Sequence, residues 1–412
     1  MNTSLKILWL APHPIRPGEH PAPWLVTLAT ELARAGHRLT VLTPSPRTTQ
    51  VQRIATDQGY ELIIVPFKGG IRHLLSGFRT QISSMSAFLR QGASTFDVIH
   101  VHGTEMQLAT SVMEAQTGTP YIISIQGILS LYKDKLPQKF SKRYLYWSLA
   151  SRYEKQEVRY SPNFFCRTDW DQHFVRHFQP RASITTCWEM LRPDFFQYRH
   201  SFTGKGILFM GGDNPLKALT LCLKVFGHLI VRQPDLRLHI VGSVNAAAYR
   251  RLVHNIDARP LSTDNVVFHG ALDAQGICRL YTECFCLYHP SLIDNSPNSV
   301  CEAQVAGLPV IATRVGGVPS LIDDGRTGLL IRKNDEAGHV ATLERLYRDS
   351  GLQRWISRNS REVARQRHDT ATILETTLNT YRTLAAASAS NVPASATNVL
   401  QTTNHVTTQI PA

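Results

Sequence analysis

Residues 6–44 and residues 206–243 of this 412-residue chain predict the same succession of strand, glycine-bearing turn, helix and strand. This succession opens a doubly wound α/β domain, in which helices cover both faces of a parallel sheet. The chain is long enough for two domains of ordinary size. The two openings, about 200 residues apart, therefore predict two Rossmann-like domains that face each other across a cleft.

Turn residues and composition predict where these domains begin and end. We assign residues 1–197 to the first domain, residues 198–365 to the second and residues 366–385 to a final helix. Residues 386–412 contain no Asp, Glu, Lys or Arg and are rich in Ala, Ser, Thr and Asn. Such a segment has too few apolar groups to offset the entropy of ordering, so we predict a disordered tail.

The polar residues that point most directly to chemistry lie in one stretch, residues 288–328. An apolar strand stops at Pro290, and two carboxylates, Asp294 and Glu302, stand on either side of a Ser-Pro-Asn turn. We expect Ser296 to cap a helix and Pro297 to be its first residue. A second buried strand follows and ends at Gly316 and Gly317.

A helix that starts in this way favours an anion. Its first N–H groups are unpaired and carry about half a positive charge, which suits a phosphate. The candidate residues at this helix start are Ser296, Pro297, Asn298 and Ser299, and the glycines at 316 and 317 let backbone approach a ligand. Glu302 lies about one turn further along the same face, so its carboxylate is placed to accept two ribose hydroxyls.

A plainer interpretation is that Ser296 is only a cap and Glu302 only a solvated helix residue. Against it, the neighbours of Glu302 are apolar, which predicts a mostly buried helix. A glutamate in such a helix needs a partner. Together these residues favour a site for a nucleotide sugar.

The same stretch resembles the donor-site signature of retaining glycosyltransferases of the GT4 type, which have the GT-B fold. The family pattern is a Glu, seven residues, a second Glu, a Gly-x-Pro-Val strand and a Gly-Gly turn. This chain has Asp294 in the first position, Glu302 in the second, the segment 307–310 as the strand signature, and Gly316 with Gly317 as the turn. The resemblance implies that Glu302 holds the ribose, that Asp294 contacts the transferred sugar and that the last helix crosses back onto the first domain.

Three further positions follow from the same resemblance. Lys217 stands where the family has a lysine that holds the donor diphosphate, although the arginine that usually precedes it is replaced by the segment 210–212. Gly18 lies in the first loop, where the family has a glycine pair. Gln126 follows a strand where many relatives carry a histidine, and its amide is suited to a sugar hydroxyl. Asp294, Lys217 and Gln126 are thus the candidate catalytic residues.

Metal and disulfide chemistry find little support. Asp169 and Asp171 form a D-x-D triplet, which binds metal in a different glycosyltransferase fold, but Asp169 here is better interpreted as a helix cap. The seven cysteines are scattered in apolar surroundings, which is typical of reduced core thiols. We expect no metal and no cofactor besides the nucleotide-sugar substrate.

The formal net charge of +13 indicates anionic partners. Residues 131–160 hold eight Lys or Arg, three Asp or Glu and seven aromatic residues. This pattern fits an ordinary amphipathic helix, and it equally fits a patch that touches anionic lipid or a phosphorylated acceptor. No motif supports nucleic-acid binding. No apolar run reaches the length of a membrane span, so we expect a cytoplasmic protein that contacts the inner face of the membrane.

The resemblance implies a retaining, metal-independent glycosyltransferase of the hexosyltransferase kind. Its acceptor would be a saccharide or a lipid-linked saccharide, used in the synthesis of a cell-surface polysaccharide. Two alternatives stay open on the sequence. One is a non-catalytic GT-B partner subunit, motivated by the departures at Asp294, at Gly212 and in the first loop, and the other is a sugar-nucleotide epimerase of the same fold.

Overall fold

The computed structural model describes residues 4–15, 23–244, 249, 261 and 265–390. The part of the first domain that it describes is built on strands β1 to β8: Lys6–Leu10, Arg38–Ser45, Gln52–Ala55, Glu61–Pro66, Val98–His102, Tyr121–Ser124, Asn163–Cys166 and Ser183–Thr186. They form one sheet in the order β3-β4-β2-β1-β5-β6-β7-β8. Only the pairing of β3 with β4 is antiparallel among the described strands of this sheet.

The second domain contains strands β9 to β14: Gly206–Met210, Arg237–Val241, Val266–Gly270, Cys284–His289, Val310–Thr313 and Leu329–Ile331. Their order is β11-β10-β9-β12-β13-β14, and each recorded pair is parallel. Every residue of β12 and β13 is buried. That explains their continuous apolar sequences, because the strands of a parallel sheet are covered on both faces. The predicted α/β class with two Rossmann-like domains is confirmed.

The described helices pack on both faces of the two sheets. Those of the first domain are α1 to α7: Pro23–Arg34, Ile71–Leu75, Arg79–Gly92, Leu108–Ala115, Leu129–Tyr132, Lys142–Tyr160 and Asp169–Phe178. We call residues 187–205, between β8 and β9, the linker, and a short helix α8, Asp194–Gln197, lies in it. Helices α9 to α14 follow: Leu219–Ile230, Ala274–Glu283, Asn298–Ala306, Glu336–Arg348, Ser350–Arg367 and Thr370–Ser390.

The last helix, α14, packs against the first sheet. Tyr381 is fully buried there, and its hydroxyl accepts a hydrogen bond from Trp9 Nε1 at 3.0 Å and contacts His100 Nδ1 at 2.6 Å. The helix continues to Ser390, five residues beyond the predicted end at 385, because the alanine-rich sequence there favours helix. The rest of the predicted tail, residues 391–412, lies outside the described residues.

Candidate functional site

The stretch singled out in the sequence lies at the carboxyl edge of the second sheet. β12 ends at His289 and β13 at Thr313, and the loop after β9 carries Lys217. Because the carboxyl ends of parallel strands meet at one edge of a sheet, these three loops come together. This edge faces the first domain.

Lys217 and Asp294 form the polar centre of the edge. The ammonium Nζ lies 2.5 Å from Asp294 Oδ2, and Nε2 of the buried His289 lies 3.1 Å from the same oxygen. Burial alone would raise the pKa of Asp294, but Lys217 and His289 outweigh it and hold that pKa below its usual range. Burial lowers the pKa of His289, and its Nε2–H donates to the carboxylate. Asp294 is thus an ionised group with two donors already in place.

The loop geometry explains how Lys217 reaches this position. Lys217 ends a short 3₁₀ turn, and helix α9 begins two residues later, after Ala218 in the left-handed region with φ 56°. Gly211, with φ +152°, lies beneath the lysine stem, and a Cβ there would come within 2.5 Å of Lys217 Cγ. Gly211 therefore makes room for the stem of Lys217.

The start of helix α11 differs from the prediction. The helix begins at Asn298, and Pro297, with ψ 118°, is its extended cap residue, without a side-chain capping bond. Ser296 is therefore not the N-cap, and its hydroxyl instead contacts Cys301 Sγ at 3.9 Å. The prediction was wrong by one residue because Pro297 keeps an extended ψ. Asn298 Oδ1 is buried and has no partner among the described residues, while Ser299 is partly buried in the first turn.

Gly316 and Gly317 pack on the loop that holds Asp294. Gly316 has φ +53°, and a Cβ there would lie 2.0 Å from Asp294 O; a Cβ on Gly317 would lie 2.3 Å from Asn295 O. Gly317 also donates its N–H to Asp294 O at 2.9 Å. In this structure the two glycines thus allow close approach by the protein's own backbone, and they fix Asp294.

Glu302 is buried, as its apolar neighbours predicted, and its partner is Arg192 of the linker. Arg192 donates from Nε to Oε1 at 2.9 Å and from Nη2 to Oε2 at 2.8 Å. Burial alone would lower the pKa of Arg192, but the hydrogen bonds to Glu302 raise it. No local signal in the sequence connects two residues 110 positions apart. The carboxylate expected to bind ribose is thus hydrogen-bonded to an arginine of this chain.

Asn295 joins the two domains. Its side-chain oxygen accepts from Thr168 Oγ1 at 2.7 Å, and its nitrogen donates to Asp171 Oδ2 at 2.9 Å and to the Gln126 carbonyl at 3.2 Å. Gln126 therefore takes part here through its backbone. Asn295 was not among the predicted site residues, although it follows Asp294 directly.

Two more side chains of the first domain face the site. Tyr132, at the end of α5, is partly buried beside Asp294, and desolvation followed by that negative charge raises the pKa of the phenol, which therefore keeps its proton. Glu105 accepts the Gly127 N–H at 2.6 Å. Leu136 packs with Leu216 and Ile293 of the second domain. The first domain thus supplies a donor, a carboxylate and an apolar wall.

The other residues singled out in the sequence are Gly18, the D-x-D triplet and the cysteines. Gly18 lies outside the described residues. Thr168, and not Asp169, caps helix α7, and Asp171 completes the capping box. The D-x-D triplet is therefore a helix start. Within the described part of the chain, no group of three or more His, Cys, Asp or Glu is arranged to hold a metal ion, and all seven cysteines are free.

The basic segment 131–160 forms α5, a 3₁₀ turn and α6. Phe140 and Leu145 are exposed, by 90% and 58%. Ile71 and Leu75 of α2 are also exposed, by 73% and 81%. The α2–α3 corner packs directly on α6, where Tyr153 donates to the Gly77 carbonyl at 2.6 Å.

Comparison with known proteins places this geometry in a family. The family described as Glycosyl transferases group 1 matches residues 204–349, and the Glycosyl transferase 4-like domain matches residues 22–157. A D-inositol 3-phosphate glycosyltransferase of Stackebrandtia nassauensis is 25% identical over 358 residues, which cover 79% of this chain and 78% of that protein. The same enzyme of Streptomyces bingchenggensis is 32% identical over 151 residues, only 33% of its own length.

Solved structures share the fold. Sucrose-phosphate synthase from Thermosynechococcus elongatus has a TM-score of 0.76 at 17% identity, over 93% of this chain and 100% of that one. The Anabaena protein HepE, in complex with UDP-glucose, has a TM-score of 0.66 at 16% identity, over 92% and 100%. No described helix is both long and apolar enough to cross a membrane. The chain belongs to the group 1 glycosyl transferases, with a GT4-like N-terminal domain and the GT-B fold.

Proposed function

We propose that this chain transfers a sugar from a nucleotide-sugar donor, with retention of anomeric configuration, to a saccharide or lipid-linked saccharide in cell-surface polysaccharide synthesis. The observation that carries the proposal is the pair of Lys217 and Asp294 at the cleft edge, 2.5 Å apart. It puts a cation and an ionised carboxylate within reach of one ligand. A nucleotide sugar needs a cation for its diphosphate and an acceptor for its sugar hydroxyls.

Each group has a role that follows from its contacts. Lys217, with the N-terminus of α11, stabilises the charge on the departing diphosphate. Asp294 accepts a sugar hydroxyl while His289 holds it in place. Tyr132 donates toward the same space from the first domain, next to Gln126. The buried Asn298 Oδ1, which has no partner among the described residues, is open to a ligand hydroxyl.

The role of Glu302 needs one adjustment. Each oxygen of the carboxylate already accepts one hydrogen bond from Arg192, and each has a second lone pair for a ribose hydroxyl. Arg192 holds both oxygens in one plane, as a bidentate arginine does. Ribose binding through Glu302 is therefore proposed as a shared arrangement, with the arginine in place.

We further propose that the reaction needs neither metal nor cofactor, since Lys217 supplies a fixed positive charge at the diphosphate. Turnover should then be unchanged by EDTA. Loss of turnover on chelation, with recovery on adding Mg²⁺, would contradict this part of the proposal.

The acceptor side is proposed from the first domain and from the relatives. The inositol phosphate enzymes and sucrose-phosphate synthase carry small phosphorylated compounds in their names, whereas the exposed apolar residues of α2 and α6 favour a lipid-linked acceptor. We propose that this surface, with Lys139, Lys142 and Arg143 beside it, rests on anionic lipid. Changing these three residues to Gln should abolish flotation with anionic vesicles. Unchanged flotation would contradict the membrane contact.

Donor binding is tested by calorimetry with a panel of nucleoside diphosphates. The wild type should bind one of them, and Lys217→Gln should bind it at least about tenfold more weakly, since a charge-assisted contact is lost. Glu302→Ala should also weaken binding. Lys224→Gln, a lysine of α9 away from the edge, is the matched control. Equal affinity of the wild type and Lys217→Gln would overturn the assignment.

Turnover separates the alternatives. Slow hydrolysis of a nucleotide sugar that disappears in Asp294→Ala would exclude a non-catalytic partner subunit. Release of nucleotide that depends on an added acceptor would argue for transfer and against an epimerase.

A further inference from the structure

One face of helix α13 is lined with arginines. Arg354, Arg358, Arg361 and Arg365 follow one another at intervals of four, three and four residues, which places them along a single side of a helix. Arg199 of the linker approaches the same face, close enough to lower, after burial, the pKa of Arg361. Five guanidinium groups of like charge therefore converge.

Arg199, Arg354, Arg358 and Arg361 border a cavity of about 240 Å³ that is also lined by His200, Phe202, Ala306 and Ser357. We call this cavity the arginine pocket. Among the described residues, none of the five arginines forms an ion pair with a carboxylate. The Nε atoms of Arg361 and Arg365 are buried, and neither has a hydrogen-bond partner in the described part of the chain.

The protein's own groups balance little of this charge. Helix α11 ends at Gly307 beside the pocket, and a Cβ on that glycine would lie 3.4 Å from Arg361 Cδ. A helix C-terminus carries about half a negative charge. Arg365 also donates to the Phe196 carbonyl. Arg354 donates to Ser350 Oγ, and Arg358 and Arg365 lie over the Trp355 and Phe196 rings. None of these groups carries a full negative charge, and crowding like charges is unfavourable unless an anion joins them, even where water screens the exposed Arg199, Arg354 and Arg358.

A second, independent group lines the same pocket. His200 is only 9% exposed, and it lines the pocket. Its Nδ1 lies 3.0 Å from the Tyr281 carbonyl, so Nδ1 carries the proton and donates. Nε2 is buried and has no partner among the described residues. Burial lowers the pKa of His200 to about 4, so Nε2 is a free acceptor, suited to a hydroxyl of a ligand.

We propose that the arginine pocket binds a small multivalent phosphate anion, with oxyanions on the arginines and a hydroxyl on His200 Nε2. This site is distinct from the donor site. The two lie at opposite ends of α11, whose nine residues span about 13 Å. Because Arg199 belongs to the linker and the other arginines to α13, the bound anion ties the linker to the helix that leads back to the first domain.

The test is a calorimetric titration of inorganic pyrophosphate into the full chain carrying Lys217→Gln, which removes the ammonium of the donor site. Saturable binding is expected. Adding Arg358→Gln and Arg361→Gln together should weaken it at least about tenfold. Arg348→Gln, an exposed arginine of α12 outside the pocket, should bind as before. Absence of binding, or equal binding with both pocket arginines replaced, would overturn the proposal.

Two further readouts keep the result interpretable. Without pyrophosphate, the variant with Arg358→Gln and Arg361→Gln should melt at or above the temperature of its parent, because repulsion is relieved. With pyrophosphate, only the melting temperature of the parent should rise. A lower melting temperature of the variant without ligand would instead indicate a structural role. Arginine-dependent flotation with anionic vesicles, without pyrophosphate binding, would also contradict a soluble ligand.

Discussion

Two buried glutamates of the first domain and two buried acids of the second are held in different ways. In the first domain, Glu154 accepts the N–H groups of Leu129 and Ser130 at 2.5 and 3.0 Å, and Glu157 accepts from Thr110 N and Oγ1 at 2.7 and 2.8 Å. Burial raises their pKa values to about 7 and about 8. In the second domain, Asp294 and Glu302 each face a cation instead.

This difference separates structural from chemical acids. Glu154 fixes the start of α5 and hence the position of Tyr132, a task that a neutral carboxyl performs through its acceptor oxygens. Asp294 must be ionised to hold a sugar hydroxyl and to pair with Lys217. Burial is common to all four acids. At Asp294 the contacts with Lys217 and His289 outweigh it and lower the pKa, whereas at Glu302 burial outweighs Arg192 and the pKa is raised.

The largest expected effect comes from removing the charge at the cleft. Asp294→Asn keeps the shape of the side chain but loses the attraction to Lys217 and the acceptor strength at the sugar. We expect turnover with nucleotide sugar to fall about a thousandfold, with donor affinity changed by less than about tenfold. Steady-state kinetics and calorimetry measure the two quantities.

Asp294→Glu is the matched variant, since it keeps the carboxylate and restores the residue that the family carries. It should retain at least about a tenth of the turnover. Turnover of Asp294→Asn close to the wild type would show that the carboxylate's charge is not used.

The second expected effect is on stability. Arg192→Met leaves Glu302 unpaired, with a side chain only 4% exposed. Removing one partner of a buried pair costs about 3 kcal/mol of the free energy of unfolding. Urea denaturation measures it, with the exposed Arg181→Met as control. Replacing both partners, with Arg192→Met and Glu302→Met, should recover part of the loss; an additive loss would mean that the pair is not coupled.

The smallest effect concerns Glu157 of the first domain and depends on pH. The folded state raises the pKa of Glu157 from 4.5 to about 8. Its contribution to stability is therefore full below about pH 4.5 and is lost as the pH rises through about 8. Glu157→Gln cannot ionise, so its stability relative to the wild type should grow between pH 5 and pH 8, by on the order of 2 kcal/mol.

Thermal melting at the two pH values is the measurement for Glu157→Gln. The exposed Glu362→Gln serves as control and should show no such change. A difference between Glu157→Gln and wild type that is the same at both pH values would mean that Glu157 stays ionised throughout.

Local patterns in the sequence were enough for most of the architecture. The strand ending before Pro290, the left-handed helix end at Gly307 and the burial of Glu302 all follow from apolar runs and from special backbone requirements. The start of α11 was misjudged by one residue because Pro297, which is compatible with the first helical position, keeps an extended ψ and acts as the cap. The final helix extended past 385 because alanine needs no tertiary support to favour helix.

The sequence by itself determined the two α/β domains and the edge at which Lys217, Asp294, Gly316 and Gly317 meet. The succession of strands and helices along the chain and their apolar periodicity are local properties. Only the tertiary structure decided which partner each charge has. Arg192 pairs with Glu302 and Asn295 reaches Thr168 across 110 and 127 positions. The four arginines of α13 and Arg199 of the linker meet without a carboxylate among the described residues. Electrostatic energy depends on distance in space and on burial, and neither can be read from separation along the chain.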